Sequence, residues 1–224
     1  MKRNIILVLL LACAEAVAGP RGHRDYEAEV KNPEKRLPIL AEARQFLRQA
    51  EATETNRTES LALCLNRCEQ LLWVRPDDVF AEALVILAEA TWLKGQPDRA
   101  LQILKEHDKI LKLSGISTAK KGVSFSERAD YQAEALRGRI HEQKGMAALQ
   151  TKDQDAARVA LTESWRCFAS AAALAGRGVD CPAARKAEEV KALIPIMRIH
   201  PLDIQTNTAN QAHQDTSLRA DPER

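Results

Sequence analysis

The sequence predicts an all-α chain built as a short stack of antiparallel helical hairpins, and three observations carry that expectation. Aromatic residues are only 4% of the chain, while hydrophobic residues reach 45% with Ala and Leu dominant, a balance that favours helix over sheet. Small and aliphatic residues recur at spacings of three and four over much of residues 37–199, so they share helix faces. Residues 81–106, AEALVILAEATWLKGQPDRALQILKE, read as two amphipathic helices folded back across Gly95-Gln96-Pro97.

Taken in order, residues 1–18 have the build of a secretory signal peptide. Lys2 and Arg3 form a charged start, residues 5–12 a short apolar run, and Ala16 and Ala18 the small residues of a cleavage site. A second processing route stays open, because Leu10-Leu11-Ala12-Cys13 resembles a bacterial lipoprotein box with Cys13 as the acylated residue. No later stretch approaches the roughly 18 apolar residues a transmembrane helix needs. Residues 19–36 are polar with scattered Gly and Pro, and are expected to be a flexible linker in which His23 is a solvated loop residue.

The first helix is expected over 37–52, with Pro38 in its opening turn and Leu40, Ala43, Leu47 and Ala50 buried. Asn56 with Glu59 has the spacing of a capping pair for a second helix over 59–74. Asn56-Arg57-Thr58 is also a glycosylation sequon, relevant only in a eukaryotic secretory pathway. On the second helix Leu61, Cys64, Leu65, Cys68, Leu71 and Leu72 lie on one side. Arg75-Pro76 stops it, and Asp77-Asp78 can cap the central hairpin. There Leu84, Leu87, Ala88 and Thr91 face Ala100, Leu101 and Leu104, Gly95 supplies a left-handed turn residue and Pro97 opens the returning helix. Ser114-Gly115 ends that helix, residues 116–125 form a loop, and Ser124 with Glu127 again has capping spacing. A fifth helix over 126–150 points Ala135, Ile140, Gly145, Ala148 and Leu149 toward neighbours. Gly138 and Gly145 within it imply close backbone approach, since glycine otherwise weakens a helix. A sixth helix opens at Asp153 and buries Ala157, Ala160, Leu161, Ser164 and Phe168. The seventh, opened by Asp180-Cys181-Pro182, covers the open end of the stack, as a solenoid requires. Residues 200–224, which include His213, are polar and aperiodic, and are expected to be a disordered tail.

At the central hairpin the sequence resembles the tetratricopeptide repeat family, whose unit is about 34 residues long. Leu84 stands at the large first-helix position, Leu87-Ala88 at the Leu-Gly pair, Gly95 at the turn and Ala100 at the small contact position. Thr91 departs from the family's usual Tyr, and Leu104 substitutes for its large apolar residue. Gly145 and Ala157 fall at corresponding small positions in a later, extended unit. The resemblance implies a right-handed superhelix whose concave face binds a peptide or partner helix. Carried over, that face would present Val85, Glu89 and Trp92 from the central unit and Arg139, Glu142 and Met146 from the later one. The family's carboxylate clamp needs Lys and Asn where this chain has Val85 and Glu89, so capture of an acidic C-terminus in that manner is not expected.

The net charge of +2 loses +1 when Lys2, Arg3 and Glu15 leave with residues 1–18, and the remaining +1 offers no long-range field for nucleic acid or an acidic membrane. Cys64, Cys68, Cys167 and Cys181 allow three full pairings but read more simply as small buried apolar residues. They lack Cys-x-x-Cys or Cys/His spacing for a metal, and no cofactor motif is present. No nucleophile elbow, phosphate loop, dinucleotide fingerprint or His-Glu-x-x-His motif occurs, so no catalytic residue is expected. His107 and His141 are expected as surface or half-buried helix residues, and Glu82, Glu89, Glu134 and Glu142 as solvated faces. The reading that emerges is a non-catalytic protein-interaction or assembly scaffold, exported to a bacterial periplasm or envelope. The alternative is a structural subunit or lipoprotein of an envelope complex that self-associates through its helical edge.

Overall fold

The computed structural model of the chain describes residues 33–72, 76–115, 124–176 and 178–194. Residues 1–18 with Cys13, most of the expected linker, the 116–123 loop and the 200–224 tail lie outside the described residues. Among the described residues seven α-helices follow one another: α1 (Pro33–Ala52), α2 (Arg57–Leu71), α3 (Asp78–Leu93), α4 (Pro97–Ser114), α5 (Ala129–Gln150), α6 (Gln154–Ala175) and α7 (Pro182–Leu193). A short 3-10 turn, Phe125–Glu127, precedes α5, and the described residues contain no strand. Consecutive helices pack on one another, and α1 also touches α3, as α3 touches α5. That pattern of next and next-but-one contacts is what a layered helical stack produces.

The central hairpin forms as its sequence predicts. Asp77 accepts a hydrogen bond from the Phe80 amide at 2.9 Å and so caps α3. Gly95 turns the chain at φ +81°, and Pro97 occupies the first turn of α4. Leu84, Leu87, Ala88, Thr91, Ala100 and Leu104 are all buried, and Leu101 is half-buried. The buried stripe of α1 (Leu40, Ala43, Leu47, Ala50) and that of α2 (Leu61, Cys64, Cys68, Leu71) are as expected, with Leu65 and Leu72 half-buried. In α6 Ala157, Leu161, Ser164 and Phe168 are buried and Ala160 is half-buried.

Helix starts differ from the expectation. Helix α1 begins at Pro33 rather than Leu37, which leaves Pro38 inside the helix. The added turn holds Arg36, which is buried and donates through both terminal nitrogens to Asp77, one of these bonds at 2.9 Å. The carboxylate that caps α3 therefore also ties α1 to it. Asn56 does not cap α2 through its side chain, because its backbone (φ −110°, ψ 13°) lacks the extended geometry that aims the side chain at the first amides. Ser124 likewise caps nothing through its hydroxyl, which bonds Ser126 instead, and α5 starts at Ala129 rather than 126.

Helices α5 and α6 meet closely, and their glycines explain why. A Cβ on Gly138 would lie 2.8 Å from the Phe168 ring, and one on Gly145 would lie 2.6 Å from Leu161 Cγ. The Ser164 hydroxyl donates to the Gly138 carbonyl at 2.8 Å across this contact. Beyond α6, Ala183, Ala187 and Val190 of α7 bury against Phe168, Ala171 and Cys181, so α7 covers the last apolar face.

Gly145→Ala is expected to lose about 1–3 kcal/mol in chemical denaturation, since the fully buried Leu161 cannot swing aside. Asp77→Ala should lose about 1 kcal/mol for the cap alone, with a further loss from leaving Arg36 buried and unpaired. Asp77→Asn keeps the cap acceptor and should fall between Asp77→Ala and wild type on the same measurement.

Candidate functional groove

The odd-numbered helices form one layer, and between them lies an open groove with a volume of about 480 Å³. Its apolar floor includes Leu47 of α1, Ile86 of α3, Ala135 of α5 and Phe168 of α6. Arg44, Arg48 and Glu51 border it from α1, Glu89 from α3, Arg139 from α5 and Lys186 from α7. Residues 44, 48 and 51 are spaced by four and three, so a single helix face delivers all three to the groove.

Ion pairs join each layer helix to the next. Arg44 of α1 pairs with Glu82 of α3, Glu89 of α3 with Arg139 of α5, and Glu142 of α5 with Lys186 of α7 at 3.0 Å. Glu82, Glu89, Glu134 and Glu142 are therefore not a solvated face. Their side chains keep only 16–22% of their exposure, and each is paired, Glu134 with Arg137 of its own helix. The expectation failed because it treated each helix as having one buried side, whereas an inner helix of a stack has neighbours on two.

Of the six residues expected on the concave face, Glu89 and Arg139 line the groove together. Val85 does not belong there, since it is 2% exposed and packs among Ala81, Ala133 and Leu136 in the core shared by α3, α4 and α5. Trp92 stands beside Arg139, whose guanidinium lies 5.2 Å from the ring centroid, and its indole N–H donates to Gln143. Both its face and its polar edge are thus engaged, and it holds Arg139 in place. Glu142 is spent on Lys186, and Met146, although 40% exposed, is not part of the groove lining. Sequence reasoning missed Arg44, Arg48, Glu51, Tyr131 and Lys186. The charged face of α1 was the available signal, hidden because that helix is out of register with the repeat pattern.

The charges in and behind the groove perturb one another. Burial raises the Glu51 carboxyl above its usual range, with Glu89 adding to the effect and Arg139 opposing it. Behind the layer, His107 is fully buried rather than at the surface, with Nδ1 3.2 Å from Asp108 Oδ1. Burial pushes Asp108 up, but the bonds from His107 and Arg137 outweigh it and hold its carboxyl low. Burial also lowers His141, helped by Lys144. Cys64, Cys68 and Cys181 are buried, Cys167 is half-buried, and all four are free thiols. Burial and the nearby Glu134 push Cys167 up to about 12, so it stays a thiol near neutrality and is not poised to attack a substrate. Among the described residues no group of three or more His, Cys, Asp and Glu side chains is placed to hold a metal ion, and no helix is long and apolar enough to cross a membrane.

The opposite shifts give opposite pH signatures. A depressed folded pKa means that Asp108 contributes stability above the ordinary carboxylate range and loses it as pH falls through the folded pKa. A raised one means that ionised Glu51 detracts from stability near neutrality, and protonation relieves this. Denaturation midpoints are expected to fall for Asp108→Asn and rise slightly for Glu51→Gln at pH 7. The Glu51 difference should fade as the pH falls from neutrality into the ordinary carboxylate range, and the Asp108 difference only as it falls further, through the depressed folded pKa.

No protein-family model, curated protein or solved structure matches the chain.

Proposed function

We propose that this chain is a non-catalytic protein-interaction scaffold whose groove between α1, α3, α5 and α7 seats a peptide or a partner helix. The observation that carries this reading is the groove itself, open along one helical layer, apolar on its floor and charged along its borders. Recognition sites for amphipathic segments combine those two features. In this reading the hairpins form a right-handed, tetratricopeptide-like superhelix, consistent with the contacts of α1 with α3 and of α3 with α5. The ion pairs between layer helices serve to hold the groove's width, so that little ordering is left for the moment of binding. Residues 1–18 support export to a bacterial periplasm or envelope, with lipidation at Cys13 as the second processing route.

Selection of a random 12-residue peptide library on the chain from residue 19 tests the scaffold reading. Enriched peptides should bind at least tenfold more weakly to Ala135→Arg, which puts a long side chain on the groove floor, while Arg166→Ala, away from it, should bind as wild type. Circular dichroism confirms that both variants fold. Failure to enrich any peptide, or equal binding to Ala135→Arg, would overturn the proposal. In the same samples sedimentation velocity reads the alternative, self-association through the helical edge, as mass that grows with concentration.

A further inference from the structure

The charges bordering the groove do not select an occupant, because they meet one another. Arg44 faces Glu82 and Glu127, Arg139 faces Glu89, and Lys186 lies 3.0 Å from both Glu142 and Glu189. On α1 the exposed Arg48 is followed within one turn by Glu51. What distinguishes the groove is its apolar floor, to which α3, α5 and α6 contribute Ile86, Ala135 and Phe168.

One stretch of the chain matches that floor. Residues 194–204, IPIMRIHPLDI, hold six large apolar residues in eleven, with no carboxylate before Asp203. They directly follow α7, which borders one end of the groove through Lys186. Pro195 stops that helix with Ile194 extended (φ −65°, ψ 111°), and Pro201 imposes the same preference on His200. Two such prolines interrupt any continuous helix, so the stretch suits a trough as an extended segment. Ile194 itself packs on the cluster that includes Tyr131, Ala135, Phe168 and Ala183, all of which line the groove. The apolar surface on which the chain leaves α7 is thus continuous with the floor. Reach is sufficient as well. Ile194 is eight residues past Lys186 (194 minus 186), about 12 Å along the helix axis. Helix α3 is two interhelical spacings from α7, about 20 Å. The diagonal of roughly 23 Å is shorter than the ~33 Å that ten extended residues (204 minus 194) can span.

Resting on the reading of this groove as a peptide site, we infer that residues 195–204 occupy its α7-to-α3 part in the resting chain, and that a partner must displace them. Ile196, Met197 and Ile199 lie on Phe168 and Ala135, while Leu202 and Ile204 reach Ile86. Such a site takes a partner with an apparent affinity reduced to the fraction of chains in which it stands empty.

A fluorescein-labelled peptide of residues 194–204 tests this by fluorescence anisotropy against the chain from residue 19. The double variant Ile196→Asp, Ile199→Asp frees the groove by making its own segment polar. Both positions lie beyond α7, and circular dichroism checks the helices. The double variant should bind the peptide at least tenfold more tightly than wild type, the ratio expected when about nine in ten chains are self-occupied. Adding Ala135→Arg should abolish the gain. Photo-crosslinking of Ile199→p-benzoylphenylalanine locates the segment directly. Its products should keep monomer mass and join position 199 to the stretches of α3 or α5 that hold Ile86 or Ala135. Equal peptide binding by wild type and double variant, no binding by either, or cross-links that avoid those stretches would overturn self-occupation, and library peptides that still bind keep the groove reading intact. Cross-links found only at dimer mass would overturn it in favour of a second copy. Groove cross-links with no peptide bound by the double variant, together with failure of the library selection, would overturn the peptide site and the competition with it.

Discussion

Helix α3 is apolar and buried over most of its circumference, with Glu89 left at the groove border, and the rest of the stack is arranged by that constraint. Phe80, Ala83, Leu84, Ile86, Leu87 and Ala90 bury toward α1 and α2, while Ala81, Val85 and Ala88 bury toward α4 and α5. A helix that is apolar nearly all round must be enclosed, and enclosure needs at least two neighbours in its own layer and two behind it. This chain supplies α1 and α5 in the layer and α2 and α4 behind. The groove then follows as a by-product, because the layer helices meet through their inner edges and leave a trough along their outer ones.

Polar residues on the layer helices are placed by the same geometry. With apolar stripes committed to two directions, their long charged side chains are left to bridge one helix to the next, as Arg44–Glu82, Glu89–Arg139 and Lys186–Glu142 do. Half-exposed pairs of this kind add little stability individually. Their effect lies in direction, since each fixes where a charged head sits at the groove border. Trp92 extends this by holding Arg139 from its far side.

Much of the helical architecture was legible in the sequence, because periodicity, Gly95, Gly115, Pro97 and Asp153 are signals that act over a few residues. Gly138 and Gly145 also announced the close approach of α5 and α6. What was not legible depended on partners distant in sequence. Val85 looks like an outward residue on a helix with one buried stripe, and the core shared with α4 and α5 buries it. Glu82 looks solvated until Arg44, 38 residues earlier, reaches it (82 minus 44). Asn56 and Ser124 have suitable spacing, but a cap also needs a backbone angle that spacing does not encode. His107 lies three residues after Leu104 and three before Ile110 on the buried stripe of α4, so its spacing marked it for burial although its polar ring did not.

The described core is not one mass but three clusters in succession, the first around α1, α2 and α3, the second around α3, α4 and α5, the third around α6 and α7 with Tyr131 of α5. Each shares an element with the next and none joins the two ends. A chain so built responds to tension as a row of clasps does, yielding one hairpin at a time from whichever end is pulled. Detaching α7 exposes its own cluster while the clusters around α3 stay shut, and the segments that border the groove at its two extremes are the first to let go.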